Sequence, residues 1–461
     1  MLFNSFEFIF AFLPIMVIIY FLFNHLRLII LSKYWLVLGS LFFYAWWEIS
    51  FLHLIIVSIL VNYFIGKLIY SKKSKIVLGI GIVFNLGFLA YYKYIDFIIT
   101  NINFVFSQNF NLMKLALPLA ISFFTFQQIA FLVDSYRQET KEFNFLNYSL
   151  FVTFFPQLIA GPIVHHKEMM PQFHTNFNKK VKIRNIILGL TVFIIGLFKK
   201  VVIADTFSKW ANAGFDSASN LTMIEGWFTS LSYTFQLYYD FSGYADMAIG
   251  AALLFNIKLP INFNSPYKSL NIQEFWRRWH ITLGRFLKDY LYIPLGGNRV
   301  SENKIYINLL IVFFLAGVWH GAGWTFVIWG ILHGLALVIH RFWSKFNISM
   351  SPILAWFITF NFVNIAWVFF RAETFDDASN VLNAMFDLSS ITIFNLSNSN
   401  ASFNDLIFMG IIFVCTLLLK NTQQFIKNMK FNMIEALLLS FIFYYSILNL
   451  NQISEFLYFN F

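Results

Sequence analysis

Three stretches of this 461-residue sequence place ionisable side chains in apolar surroundings. The first is Phe314-Leu-Ala-Gly-Val-Trp-His320-Gly-Ala-Gly-Trp324. No Asp, Glu, Lys or Arg occurs in the 36 residues 305–340, which is enough for two helical passes of roughly 27 Å each. Such arms fall just short of a full hydrocarbon core, so the apex carrying His320 is expected at or beneath the far interface. An ionisable residue at that depth marks a functional site by default. A neutral imidazole is also a natural general base near pH 7. A histidine hydrogen-bonded in a helix contact is an equally good reading of these residues alone. Gly317, Gly321 and Gly323 let the backbones approach closely there.

The second stretch runs from Asn271 to Arg299. Asn271 with Glu274 three residues later has the capping-box pattern, so a helix is predicted to begin here. Trp276, His280, Leu283 and Leu287 fall on one helical face, and Arg278 and Arg285 on another. The expectation is an amphipathic helix at the cytoplasmic interface. Between Lys258 and Lys304 there are eight Lys/Arg against three Asp/Glu. That surface would attract anionic lipid or a phosphate-bearing donor such as coenzyme A. The third stretch, Gln236–Asp246, holds Asp240 and Asp246 in an apolar segment. Isolated charges at such depth are costly and should face the bundle interior, for structural hydrogen bonding or for catalysis. His333 is buried in this reading, and His340 sits at the membrane edge beside Arg341. His165, His166 and His174 match no strong metal motif, and no metal is assigned.

The elements that must position these residues are transmembrane helices. Hydrophobic residues make up 59% of the chain and charged residues 12%, against about 45–50% and about 25% in a soluble domain. The excess apolar surface must face lipid, where only helices or closed barrels satisfy the backbone. Long apolar runs without alternation favour helices. Thirteen runs are visible: Phe8–Phe23, Tyr34–Trp47, Leu52–Ile69, Ile76–Tyr91, Leu115–Val133, Tyr148–Val164, Ile186–Ile203, Trp227–Phe255, Ile305–Trp319, Trp324–His340, Ile353–Phe370, Leu406–Leu419 and Met433–Leu450. Roughly ten to twelve of them are expected to cross, in one membrane domain spanning 1–461. The net charge of +10 is concentrated in short loops, the positive-inside pattern. Lys67–Lys75, Lys179–Arg184, Lys258–Lys304 and Lys420–Lys430 are therefore expected inside, and the acidic stretch Arg371–Ala401 and the C-terminus outside. Three runs separate Lys75 from Lys179, so one of them is expected to be re-entrant. The lone Cys415 can form neither an internal disulfide nor a cysteine-based metal cluster.

At these motifs the chain resembles the membrane-bound O-acyltransferase family, and within it the bacterial branch that acetylates alginate and peptidoglycan. The resemblance rests on an ordered set over most of the chain: LFNSFEFIFAFLP near the start, LPLAISFFTFQ at Leu117–Gln127, FFPQLIAGPIV at Phe154–Val164, FKKVVIAD ending at Asp205, YYDFSGYADMAIG, FWRRWHITLGRFLKDYLYIPLGGNR and WHGAGWTF. It implies an all-α integral membrane protein with re-entrant and amphipathic helices, shaped as a bowl with a central tunnel. It implies His320 as the residue tied to acyl transfer and His280 as a second polar position, where some eukaryotic members carry Asn. Asp240, Asp205 and Trp319 are expected in support, and Arg277, Arg278 and Arg285 at the donor. No bound cofactor is implied, acetyl-CoA being the acyl donor.

The final residues, 453–461, end in Glu-Phe-Leu-Tyr458-Phe-Asn-Phe. Alone they read as an aromatic interfacial anchor. They also resemble the tail of the small membrane companion in teichoic-acid D-alanylation, which implies Tyr458 as an acyl relay. A neutral phenol is a poor nucleophile and would need a base such as His320. The resemblance further implies a location in the bacterial inner membrane and a periplasmic or surface partner of the Ser-esterase (SGNH) type, which would acetylate an extracytoplasmic polysaccharide. A D-alanyl or other acyl transferase is the nearest alternative. A transporter or flippase is the alternative from another class, and its expected inverted repeats are not visible.

Overall fold

The computed structural model describes residues 1–140, 143–217, 220–346, 348–391, 401–450 and 457, with Phe177 and Ser217 described by backbone alone. Every regular element among them is helical. Seven helices are long and apolar enough to cross a membrane: Glu7–His25, Ile49–Lys72, Lys75–Phe106, Ile183–Asp216, Glu302–His320, Trp324–Phe346 and Pro352–Arg371. Ile29–Ala45, Phe403–Leu418 and Met433–Leu448 are apolar but shorter. The chain is a multi-pass integral membrane protein.

The described residues fall into two compact units, the first drawn from 1–197 and 244–261, the second from 198–243 and 262–457. In the first unit, α1 (Leu13–His25), α2 (Ile29–Ala45) and α3 (Leu52–Lys72) are followed by α4 (Lys75–Leu89), which runs through a π-turn into α5 (Ile95–Phe106). Then come α6 (Ile121–Tyr136), α7 (Phe145–Thr153), α8 (Phe155–Leu158), α9 (His166–His174) and α10 (Ile183–Phe198). Ser74 caps α4 and Asn144 caps α7 through their side chains, satisfying donors that a helix start leaves open. Asn62 of α3 and Asn85 of α4 exchange amide hydrogen bonds of 3.1 and 2.6 Å, which tie two helices together where apolar burial cannot.

Tyr148–Val164 does not form the continuous helix its hydropathy suggests. The chain breaks at Phe154, α8 starts afresh at Phe155 with Pro156 in its first turn, and every residue from 147 to 166 is buried. Irregular backbone at membrane depth is tolerated only where protein encloses it, and here the Phe155 N–H finds Ser40 Oγ at 3.0 Å. Leu115–Val133 is likewise helical only from Ile121.

The second unit holds α11 (Asp205–Asn212) and the first part of α12 (Met223–Leu254), whose remainder belongs to the first unit. It continues with α13 (Ile272–Arg278), α14 (Ile281–Leu287), α15 (Glu302–His320), α16 (Trp324–Trp343), α17 (Pro352–Arg371), α18 (Phe375–Phe386), α19 (Phe403–Leu418), α20 (Thr422–Lys427) and α21 (Met433–Leu448). Reciprocal capping boxes start α18 at Thr374 and Asp377, α19 at Ser402 and Asp405, and α21 at Asn432 and Glu435. Within the first unit α10 and α12 cross tightly: a Cβ on Gly250 would lie 2.6 Å from the Gly189 carbonyl oxygen.

Candidate active site

His320 is the last residue of α15, and Trp324 opens α16 after a turn of three residues. The two helices approach so closely that a Cβ on Gly317 would meet the Phe326 carbonyl at 2.4 Å, and one on Gly330 the Phe313 carbonyl at 2.4 Å. Only glycine fits at this crossing. The tight hairpin carries His320 into an aromatic enclosure where it is 3% exposed. Its ring lies 4.9 Å from Trp319, 5.0 Å from Trp329 and 5.1 Å from Phe370, measured between centroids. Trp329 stacks in turn on Trp367 of α17 at 5.7 Å. An imidazole walled by rings is shielded from bulk water.

His280 reaches the same neighbourhood by a different device. The predicted helix through Trp276, His280, Leu283 and Leu287 is not continuous. α13 ends at Arg278, Trp279 is extended, and His280 takes the left-handed conformation (φ 42°, ψ 53°) before α14 begins. The break is held non-locally by Asn262. Its Oδ1 accepts from the Thr282 backbone N–H at 3.2 Å and the Thr282 hydroxyl at 2.9 Å, and it lies 3.1 Å from His280 Nδ1. A backbone N–H can only donate, so the Asn262 atom is the amide oxygen and His280 Nδ1 carries the proton. In the neutral ring the lone pair is then on Nε2. Burial lowers the pKa of His280 well below that of an ordinary histidine, so the ring is neutral at physiological pH. Its ring borders Phe241 at 4.8 Å and Trp319 at 6.5 Å. Trp319 is therefore flanked by both His280 and His320.

A third group is ionic. A π-helical stretch, Lys199–Ala204, leads into α11. In an α-helix residues five apart point about 140° away from each other. In the π-turn the Asp205 N–H bonds to the Lys200 carbonyl, five residues back, and the two side chains come together. Lys200 Nζ lies 2.9 Å from Asp205 Oδ1 and 2.6 Å from Asp240 Oδ1 of α12. All three side chains are buried. The second oxygen of Asp240 accepts from the Leu457 backbone N–H at 3.2 Å.

Residues 4–373 match the profile of the MBOAT, membrane-bound O-acyltransferase, family. The chain belongs to the membrane-bound O-acyltransferase family. It is an O-acyltransferase, and its similarity to bacterial members is close. It is 49% identical to the peptidoglycan O-acetyltransferase of Helicobacter pylori, covering 100% of this chain and 98% of that protein. It is 40% identical to the probable alginate O-acetylase AlgI of Pseudomonas aeruginosa, over 87% of this chain and 78% of that one. Similarity to the teichoic acid D-alanyltransferase of Bacillus subtilis is weaker, at 27% over 56% of this chain and 69% of that one.

Within this O-acyltransferase the structure gathers His320, His280 and Trp319 around one aromatic core, and Asp205 and Asp240 around Lys200. The arginines divide differently. Arg278 pairs with Glu274 at 2.6 Å on α13, Arg277 is exposed, and Arg285 is half-buried on α14 beyond the break. Tyr458 lies outside the described residues. His333 proves to be a core residue: its Nδ1 accepts from the Trp276 indole at 3.2 Å, and it is fully buried. Sequence reasoning passed over Lys200, Asn262, Trp329 and Trp367. Lys200 had a usable signal, a lysine inside the apolar run Ile186–Ile203. Asn262 had none, because its role depends on a contact 18 residues away.

Proposed function

We propose that this O-acyltransferase takes acetyl from cytoplasmic acetyl-CoA and passes it across the membrane for O-acetylation of an extracytoplasmic polysaccharide, peptidoglycan or alginate-like. The observation that carries the reading is the pair of buried histidines flanking Trp319. Likeness over the full length to a peptidoglycan O-acetyltransferase supports the choice of acetyl and glycan. The helices enclose a tunnel in this reading. The donor enters from the basic Lys258–Lys304 side, with Arg277, Arg278 and Arg285 near its phosphates, and its thioester reaches His320.

His320 takes the phenol proton of Tyr458 as the phenol oxygen attacks the thioester carbonyl. A C–O bond forms, the C–S bond breaks, and the proton passes to the departing sulfur to give coenzyme A thiol. His280, with its lone pair on Nε2, is a second group suited to hold that proton. The acetyl ester on Tyr458 then meets the Ser hydroxyl of an SGNH-type partner on the outer face. Exchange of the ester bond there regenerates the phenol. The enzyme sits in the inner membrane with its C-terminus outside.

Purified protein in liposomes, incubated with acetyl-labelled acetyl-CoA, tests this. The parent protein retains label, and His320→Ala loses it by about 10²–10⁴-fold, the usual contribution of a positioned base. Full labelling of a normally folded His320→Ala protein would remove His320 as the base. Labelling that persists in Tyr458→Phe would remove the relay and leave the transferase reading intact.

A further inference from the structure

The buried ionic cluster of the second unit has a feature that charge neutralisation leaves unexplained. One ammonium, Lys200, faces two carboxylates, Asp205 and Asp240. All three groups are about 2% exposed or less. An ion pair this deep is stable only when hydrogen bonds satisfy its remaining lone pairs. At Asp240 one such bond comes from 217 residues away in the chain, from the backbone N–H of Leu457. Asp240 is thus bound on one oxygen by Lys200 and on the other by the end of the chain. Leu457 immediately precedes Tyr458, and consecutive Cα atoms are about 3.8 Å apart.

We propose that Asp240 is a positioning residue, a buried carboxylate seat that holds the C-terminal segment by its backbone at Leu457 so that Tyr458 is presented for acyl transfer. Lys200 and Asp205 hold the seat: Lys200 bonds the first oxygen of Asp240 and so leaves the second turned to the chain, and the π-turn keeps Lys200 aimed at it. Because the contact is to backbone, the seat is indifferent to the side chain at 457 and requires only an N–H there. The presentation half of the proposal rests on the reading of Tyr458 as the acyl acceptor. The seating half does not.

The test compares Leu457→Pro, which deletes the N–H, with Leu457→Ala, which keeps it. Both are made in a Cys415→Ser background with a nitroxide on Asn460→Cys, in liposomes. Spectral mobility reports seating, and label transfer from acetyl-CoA, measured without the nitroxide, reports presentation. A hydrogen bond to a buried charged acceptor shifts such an equilibrium by about tenfold or more. The expected result is a mobile spectrum and transfer about tenfold lower in the Pro variant than in the Ala variant. Asp240→Asn, which keeps an oxygen but loses the charge, falls between the two. Equal, immobile spectra in the Pro and Ala variants would overturn the seat. A mobile spectrum with equal transfer would overturn presentation alone. Tyr458→Phe separates the relay from the seat: its spectrum stays immobile, and transfer that survives in it refutes the relay without touching the seat.

Discussion

At position 280 the chemistry and the backbone can be pulled apart. His280 owes its tautomer to Asn262 and its orientation to a left-handed backbone that His, Asn and Gly adopt more readily than branched residues. Asn262→Ala removes the acceptor and frees the ring to choose either tautomer. In the proposed mechanism a base held wrongly forfeits part of the 10²–10⁴-fold that general catalysis supplies, so transfer should fall about tenfold to a hundredfold. Asn262→Asp keeps an oxygen at that point and should recover much of the loss. Equal rates in the Ala variant and the parent would show that the contact does not serve catalysis. Sequence spacing pointed to His320 because a long charge-free run framed it. The same logic mistook the region around His280 for one helix. Trp276, His280, Leu283 and Leu287 do keep helical spacing, and nothing local announces that Asn262 will capture the Thr282 N–H and force a turn.

Among the elements, the hairpin of α15 and α16 was the most legible. Apolar runs at Ile305–Trp319 and Trp324–His340 became helices at Glu302–His320 and Trp324–Trp343. Length and the absence of charge decided both. Gly330 was not visible as a contact, because its partner is a carbonyl on the other arm. Gly330→Val drives two methyl groups at the Phe313 carbonyl, which a Cβ alone would approach to 2.4 Å. Overpacking of this kind costs about 1–3 kcal/mol, to be read as a lower thermal midpoint in detergent. An unchanged midpoint would mean that the arms separate freely. Lys200 illustrates the opposite case. Hydropathy hid it in a span, and only the π-turn explains how it and Asp205 share a side. Lys200→Met leaves two buried carboxylates without their cation and should destabilise the protein by about 3–5 kcal/mol.

For the whole molecule, composition alone established the membrane, and the Lys/Arg distribution proposes its sides. The second unit offers a direct check. Asp376 on α18 and Lys420 after α19 are both exposed, and among the described residues between them one helix, Phe403–Leu418, counts as an apolar candidate for the membrane. In a Cys415→Ser background, an impermeant maleimide added to intact cells should label Asp376→Cys at once. Lys420→Cys should label only after the membrane is opened. Labelling of both from one side would refute the assigned orientation. The close crossing of Gly189 on Gly250 bears on a different matter, the order of manufacture. Both glycines belong to the first unit, yet the 46 residues 198–243 of the second are translated between them. Chains generally fold domain by domain as they emerge, but here the Gly189 face of α10 must wait uncovered while α11 and most of α12 are made. A fragment ending at residue 197 would keep that face bare. A fragment beginning at 262 would lack Lys200, Asp205 and Asp240 altogether. No single cut yields either unit whole, and the first unit can close at this crossing only once residue 250 has been made.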